Sequence, residues 1–120
     1  MAKTMVDCKG KIVFANKRAE EIFGFTNKQL KSKKFNDHNW HIKDENGKDI
    51  PADKLPFSLI MQTKQNIYRF KHSITRPDNT KALLSISGSP MFDENRKVSG
   101  AVFAIELVGD PVFENKNQKR

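Results

Sequence analysis

The chain has 120 residues, 37% of them hydrophobic and 30% charged, which suits one domain around one core and excludes wholesale disorder. No apolar run approaches the roughly 20 residues that span a bilayer, and the N-terminus lacks the apolar core of a signal peptide, so a cytoplasmic location with no membrane contact is expected. Lys and Arg number 22 against 14 Asp and Glu, a net charge of +8, but the lysines are spread along the chain and their clusters at Lys31–Lys34 and in the C-terminal tail are not interleaved with aromatics that stack bases, so no nucleic-acid partner is expected. Cys8 is the only cysteine, which rules out an intrachain disulfide and suits a small, partly buried residue at a strand end.

In chain order, two short apolar segments, Thr4 to Asp7 and Lys11 to Ala15, flank Asp7-Cys8-Lys9-Gly10 and predict a tight β-hairpin. Asn16 then reads as the N-cap of a helix with an apolar stripe of Ala19, Ile22 and Phe23, ended by Gly24. Thr26 reads as the N-cap of a second short helix, with Gln29 at the capping-box position and Leu30 as its anchor. Lys31 to Asp49 is polar and irregular apart from Phe35, Trp40 and Ile42. Ala52 to Gln62 predicts a helix that packs Leu55, Leu59 and neighbouring apolar residues inward, and Pro56, which belongs in a first turn, places its regular part from about Leu55.

The last third changes period. From Ile67 to Thr75 the residues alternate, with Tyr68, Phe70, His72 and Ile74 expected on one face and Arg69, Lys71 and Ser73 on the other. Turns at Arg76-Pro77-Asp78-Asn79 and Asp93-Glu94-Asn95 separate this strand from Lys81 to Met91 and from Val98 to Val108. The order is two strands, short helices, then a three-stranded meander. It predicts an α+β domain: a five-stranded antiparallel sheet with the helices on one face, over residues 1–108, followed by a polar, disordered tail at 109–120.

The run D-x-x-G-K-I-V-F-A-N-K-R-A-E-E-I-F-G-F-T resembles the opening of a PAS domain, the sensory module of prokaryotic signalling proteins. W-x-I-x-D-x-x-G from Trp40, then P-x-x-x-L-P, R-P-D-N, S-x-S-P-M-F-D-E-N and V-S-G-A-V-F-A-I follow in the family's order, so the resemblance covers roughly residues 4 to 107. Asn79 and Asn95 stand where the family often has glycine, and asparagine is the next best residue for a left-handed turn. The family's frequent Asp-Ile-Thr ending and its helix before the first strand are absent, as in a domain excised from a longer chain or a trimmed stand-alone one.

The resemblance implies a small cavity between helices and sheet. Its candidate lining residues are Trp40, Phe57, Ile60, Met61, Phe70, His72, Leu84, Ile86 and Phe103. A solid core explains each aromatic and aliphatic of this set equally well, and a bond to a backbone carbonyl explains His72 without a ligand. His72 and Ser87 are the polar anchors within reach, although strand parity sets Ser87 opposite Leu84 and Ile86.

No catalytic motif appears, and Asp7, Asp44 and Asp93 sit in turns where aspartate is ordinary, so no enzyme activity is expected. Asp37-His38-Asn39-Trp40-His41 brings two histidines near a carboxylate, but in an irregular segment these read as surface histidines rather than metal ligands. Haem-binding relatives use a helix or loop histidine, and photoactive flavin domains a cysteine-bearing helix motif. The helix from Ala52 to Gln62 has neither, so no cofactor beyond an unidentified small molecule is expected.

The expected function is a sensory domain of a two-component type of signalling protein, binding a small ligand, pairing as a homodimer, or both, and serving the output domain of a histidine kinase or similar protein. The alternative is a protein-interaction scaffold with a filled core. On the last strand Val102 and Ala104 fall on the face away from the helices, an apolar patch suited to dimerisation.

Overall fold

The computed structural model describes residues 1–109, and the predicted disordered tail lies outside the described residues except for Gly109, which continues the last strand. Strands β1 (Ala2–Asp7), β2 (Ile12–Ala15), β3 (Ile67–Thr75), β4 (Lys81–Phe92) and β5 (Val98–Gly109) form one antiparallel sheet in the order β2-β1-β5-β4-β3. The N-terminal hairpin therefore joins the C-terminal meander through β1 and β5, with Thr4 opposite Phe103 and Ala2 opposite Ile105. Helices α1 (Lys17–Phe23), α2 (Asn27–Leu30) and α3 (Pro56–Thr63) and two single 3₁₀ turns, His38–Trp40 and Ala52–Lys54, accompany the sheet.

The abrupt strand-to-helix junction is built around Asn16. Its Oδ1 accepts from Ala19 N at 3.0 Å, the N-cap bond, and also from Lys3 N at 3.0 Å, while Nδ2 donates to the Met1 carbonyl at 2.9 Å. One side chain thus caps α1 and ties it to β1. Gly24, in the left-handed conformation at φ 76°, closes α1, and Arg76 Nε donates to the Ile22 carbonyl at 2.6 Å, tying the end of the helix to the β3–β4 hairpin. Thr26 and Gln29 make both bonds of the capping box at α2. Losing a cap alone costs about 0.5–2 kcal/mol, and the added strand bonds put Asn16→Ala at the upper end, about 2 kcal/mol. A fall in the urea midpoint with an unchanged far-UV spectrum is the expected result.

Three turns share one construction. Asp7, Asp44 and Asp93 each accept through Oδ1 from the backbone N–H two and four residues on. The fourth residue of each turn has positive φ: Gly10 at 87°, Gly47 at 83° and Arg96 at 63°. In the last turn the left-handed residue is therefore Arg96, not Asn95, because the chain counts from Asp93. Asn79 does adopt it, at φ 70°. The same bonds hold the Asp7 and Asp44 carboxyls below the usual range, led by the backbone N–H of Lys11 and of Lys48. The aspartates of these turns thus satisfy backbone donors.

Other expectations shift by local geometry. The helix predicted from Ala52 splits at Leu55, where the backbone is extended, and α3 starts with Pro56 at its first position. Leu55, Phe57 and Ile60 are buried but Leu59 is only half-buried. Cys8 is exposed in its turn instead of partly buried. Arg69, at φ 52°, forms a bulge between the Ile67–Gly88 and Phe70–Ile86 pairs. The bulge consumes one residue of alternation, so Ile67 packs on the core and Tyr68 is 74% exposed. Lys43 pairs with Ser73 through both backbone bonds and covers part of the β3 edge.

Candidate functional site

Between the helices and the sheet lies a cavity of about 80 Å³. Its floor is the inner face of the sheet: Thr4 and Val6 from β1, Ile12 from β2, His72 and Ile74 from β3, Ile86 from β4, and Phe103 and Ile105 from β5. Its roof comes from Phe23 at the end of α1, Phe35, Trp40 and Ile42 from the irregular segment, and Leu55, Pro56 and Phe57 at the start of α3.

Each roof residue is held by its own local structure. Trp40 ends a 3₁₀ turn capped by the Asp37 carboxylate, and its Nε1 donates to the Lys34 carbonyl at 2.9 Å. The Trp40 ring stands 5.1 Å from Phe23 and 5.6 Å from Phe25, centroid to centroid. Phe35 stands 4.6 Å from Phe57, and its backbone N–H donates to the Gly10 carbonyl, which pins this loop to the first hairpin. On the floor, Phe103 lies against Gly88 of β4. A β-carbon there would stand 2.5 Å from the ring, so the glycine makes the space that the aromatic occupies.

The polar side chains at the cavity are His72 and Thr4, 4% and 5% exposed. His72 Nδ1 lies 3.3 Å from the Ser73 carbonyl, so this nitrogen carries the hydrogen and Nε2 presents a lone pair. Burial pushes the imidazole down to about 4 from its ordinary 6.5, with the Ser73 carbonyl opposing, so it is neutral at pH 7. Among the described residues no Lys, Arg, Asp or Glu lines the cavity.

Of the residues named from the sequence, Trp40, Phe57, His72, Ile86 and Phe103 line this space. Ile60 and Leu84 are fully buried in the core without reaching it, and Met61 packs on the core from its edge. Phe70 is half-buried, its ring 6.1 Å from that of His72, and it stands outside the lining although it pairs with Ile86 on the same face. Ser87 lies on the opposite face, where its hydroxyl accepts from Arg69 N at 3.0 Å. Sequence reasoning missed the contribution of the first hairpin. The alternation of Ala2, Thr4 and Val6 was its available signal.

The outer face of the sheet carries a larger hollow of about 430 Å³. Phe14, Met5, Val102 and Ser89 are successive cross-strand partners, and Lys3, Ala104 and Ser87 form the next row. Phe14 is 43% and Val102 37% exposed. The hollow is larger than the inner cavity but lies on the sheet surface. Among the described residues, no group of three metal-ligating side chains comes together, and no helix is long and apolar enough to cross a membrane.

The fold has solved counterparts. A PAS domain from Colwellia psychrerythraea superposes with a TM-score of 0.69 at 17% identity, over 90% of this chain and 86% of that one. The PAS-B domain of Drosophila melanogaster Cycle, solved with ethylene glycol bound, gives 0.68 at 15%, over 89% and 99%. The light-state Aureochrome1 light-oxygen-voltage domain gives 0.69 at 12%, over 99% and 91%. Comparison with curated protein sequences finds no match. The family model for the PAS fold matches residues 2–108, and the chain accordingly belongs to the PAS family of sensory domains.

Proposed function

We propose that this PAS domain is a non-catalytic sensor that holds a small ligand between its helices and sheet and pairs through its outer face. The observation that carries the reading is the inner cavity, apolar on nearly all sides with one buried neutral imidazole, the composition of a small-molecule site. The roof elements α3 and the Trp40 turn pack on the sheet as separate pieces. An occupant favours one packing of these pieces over another, and β5, which forms the floor and leads out of the domain, carries the change onward. The partner on that side is the output domain of a histidine kinase or similar cytoplasmic signalling protein.

Among the described residues no cysteine lines the cavity, and its one histidine stands on a strand and not on a helix. The protein is therefore expected to be colourless as purified, and native mass spectrometry of fresh protein is expected to show a co-purified small mass. A visible absorption band that survives gel filtration overturns the first expectation. A ligand-free mass under conditions that preserve a known complex counts against the second.

The row Phe14, Met5 and Val102 supports a weak homodimer on the outer face. Val102→Glu places a charge at its centre, which costs several kcal/mol if buried unpaired. Analytical ultracentrifugation is expected to show a concentration-dependent dimer for the parent and a monomer for the variant. A parent monomeric at high concentration, or a variant that dimerises equally, refutes this interface.

A further inference from the structure

We propose, building on the reading of the inner cavity as a ligand site, that it selects a small uncharged molecule bearing one hydroxyl or N–H group, which donates to Nε2 of His72. The His72 ring is fixed by its position on β3, between Lys71 and Ser73, and by the contact of Nδ1 with the Ser73 carbonyl at 3.3 Å. With the hydrogen on Nδ1, the other nitrogen can only accept. Among the described residues no side chain or backbone group bonds to Nε2, and none bonds to the hydroxyl of Thr4. Both groups line the same cavity and both are more than nine-tenths buried. A buried acceptor without a partner is rare and costly unless something supplies the missing donor.

The rest of the lining defines what supplies it. Phe23, Phe35, Trp40, Phe57 and Phe103 offer ring faces and edges, and among the described residues no charged side chain lines the cavity to neutralise an ion. A charged ligand is therefore excluded. The volume of about 80 Å³ exceeds what one water needs and falls below the ~150 Å³ apolar cavity that holds benzene. On that scale about three non-hydrogen atoms fit, the size of a two-carbon alcohol.

Ethanol and dimethyl ether test this directly, because they are isomers of three non-hydrogen atoms and differ in that only ethanol carries a donor. Each is titrated into the full chain and followed by amide and histidine side-chain nitrogen NMR. Ethanol is expected to shift amides at His72, Ile86 and Phe103, to move the Nε2 resonance of His72, and to bind about tenfold tighter than dimethyl ether, the factor that one well-made hydrogen bond supplies. In His72→Phe the preference is expected to vanish. Should that variant fail to fold, the Nε2 shift in the parent still decides. Equal binding of the two isomers with an unmoved Nε2 resonance overturns selection by His72 and leaves the cavity a ligand site. Failure of both isomers to perturb any cavity amide overturns the ligand-site reading itself, including a cavity that holds only water.

Discussion

Replacing Gly100 by alanine is expected to cost about 3–5 kcal/mol, the largest effect of any one-atom addition to this sheet. Gly100 sits on β5 opposite Asp7, at φ 156°, where side-chain-bearing residues are strained. A β-carbon there would stand 2.2 Å from the Val6 carbonyl oxygen and 3.2 Å from the Asp7 Cα. Both are backbone atoms of β1, so no rotamer change relieves the clash, and only separation of β1 from β5 does. That pairing is the seam between the N-terminal hairpin and the meander, and Thr4, Val6, Phe103 and Ile105 reach the cavity floor from its two sides. Urea denaturation is expected to show the loss as a lower midpoint or as failure to fold. An unchanged midpoint would show that the two strands can part at this point without cost.

Acid is expected to remove about 3 kcal/mol through one residue. In the unfolded chain His72 takes up a proton near its ordinary 6.5, but in the folded protein burial holds it down to about 4. Between those values the unfolded state binds more protons than the native state, so stability rises with pH and falls as the solution is acidified. The contribution is complete above pH 6.5, declines through the window and is exhausted near pH 4. The gap corresponds to about 3 kcal/mol, with burial as its main cause and the Ser73 carbonyl opposing. The aspartates act lower. Asp7, Asp44 and Asp78 have carboxyls held below 3.8, so what they add is present above that value and is lost as pH falls beneath it. Urea midpoints measured at successive pH values are expected to fall between pH 6.5 and 4 in the parent and to stay level over that range in His72→Phe. A level parent curve shows that His72 can ionise in place, for instance through water in the cavity.

What could be read from the sequence and what could not divide along a physical line. Asn16, Gly24, Thr26 with Gln29, and the Asp-led turns announce themselves because a cap or a turn is satisfied by residues a few positions apart. Alternation placed Val102 outward and Phe103 inward on β5 for the same local reason. Alternation fails where a bulge intervenes. The Arg69 bulge has no glycine or proline to mark it, and it turned Tyr68 out and Ile67 in. The irregular segment was the hardest to read. Phe35 and Ile42 reach the roof through contacts distant in sequence, Phe35 through Gly10 and the residues after Ile42 through Ser73, and no periodicity encodes either. Thr4 was passed over because a threonine in a short apolar strand looks like an ordinary sheet residue. Its importance appears only when β1 is seen beside β5, facing His72 across a shared space.

The claim on which the functional account turns is that small molecules enter the inner cavity and not merely the larger hollow on the outer face. Intermolecular nuclear Overhauser contacts between ethanol and the methyl-labelled chain locate the probe by distance. Contacts to the methyls of Ile74, Ile86 and Ile105, which line the inner cavity, with none to Val102 or Met5, are the predicted result. Contacts confined to Val102 and Met5, or none at all, would contradict it and leave the domain a scaffold with a closed core.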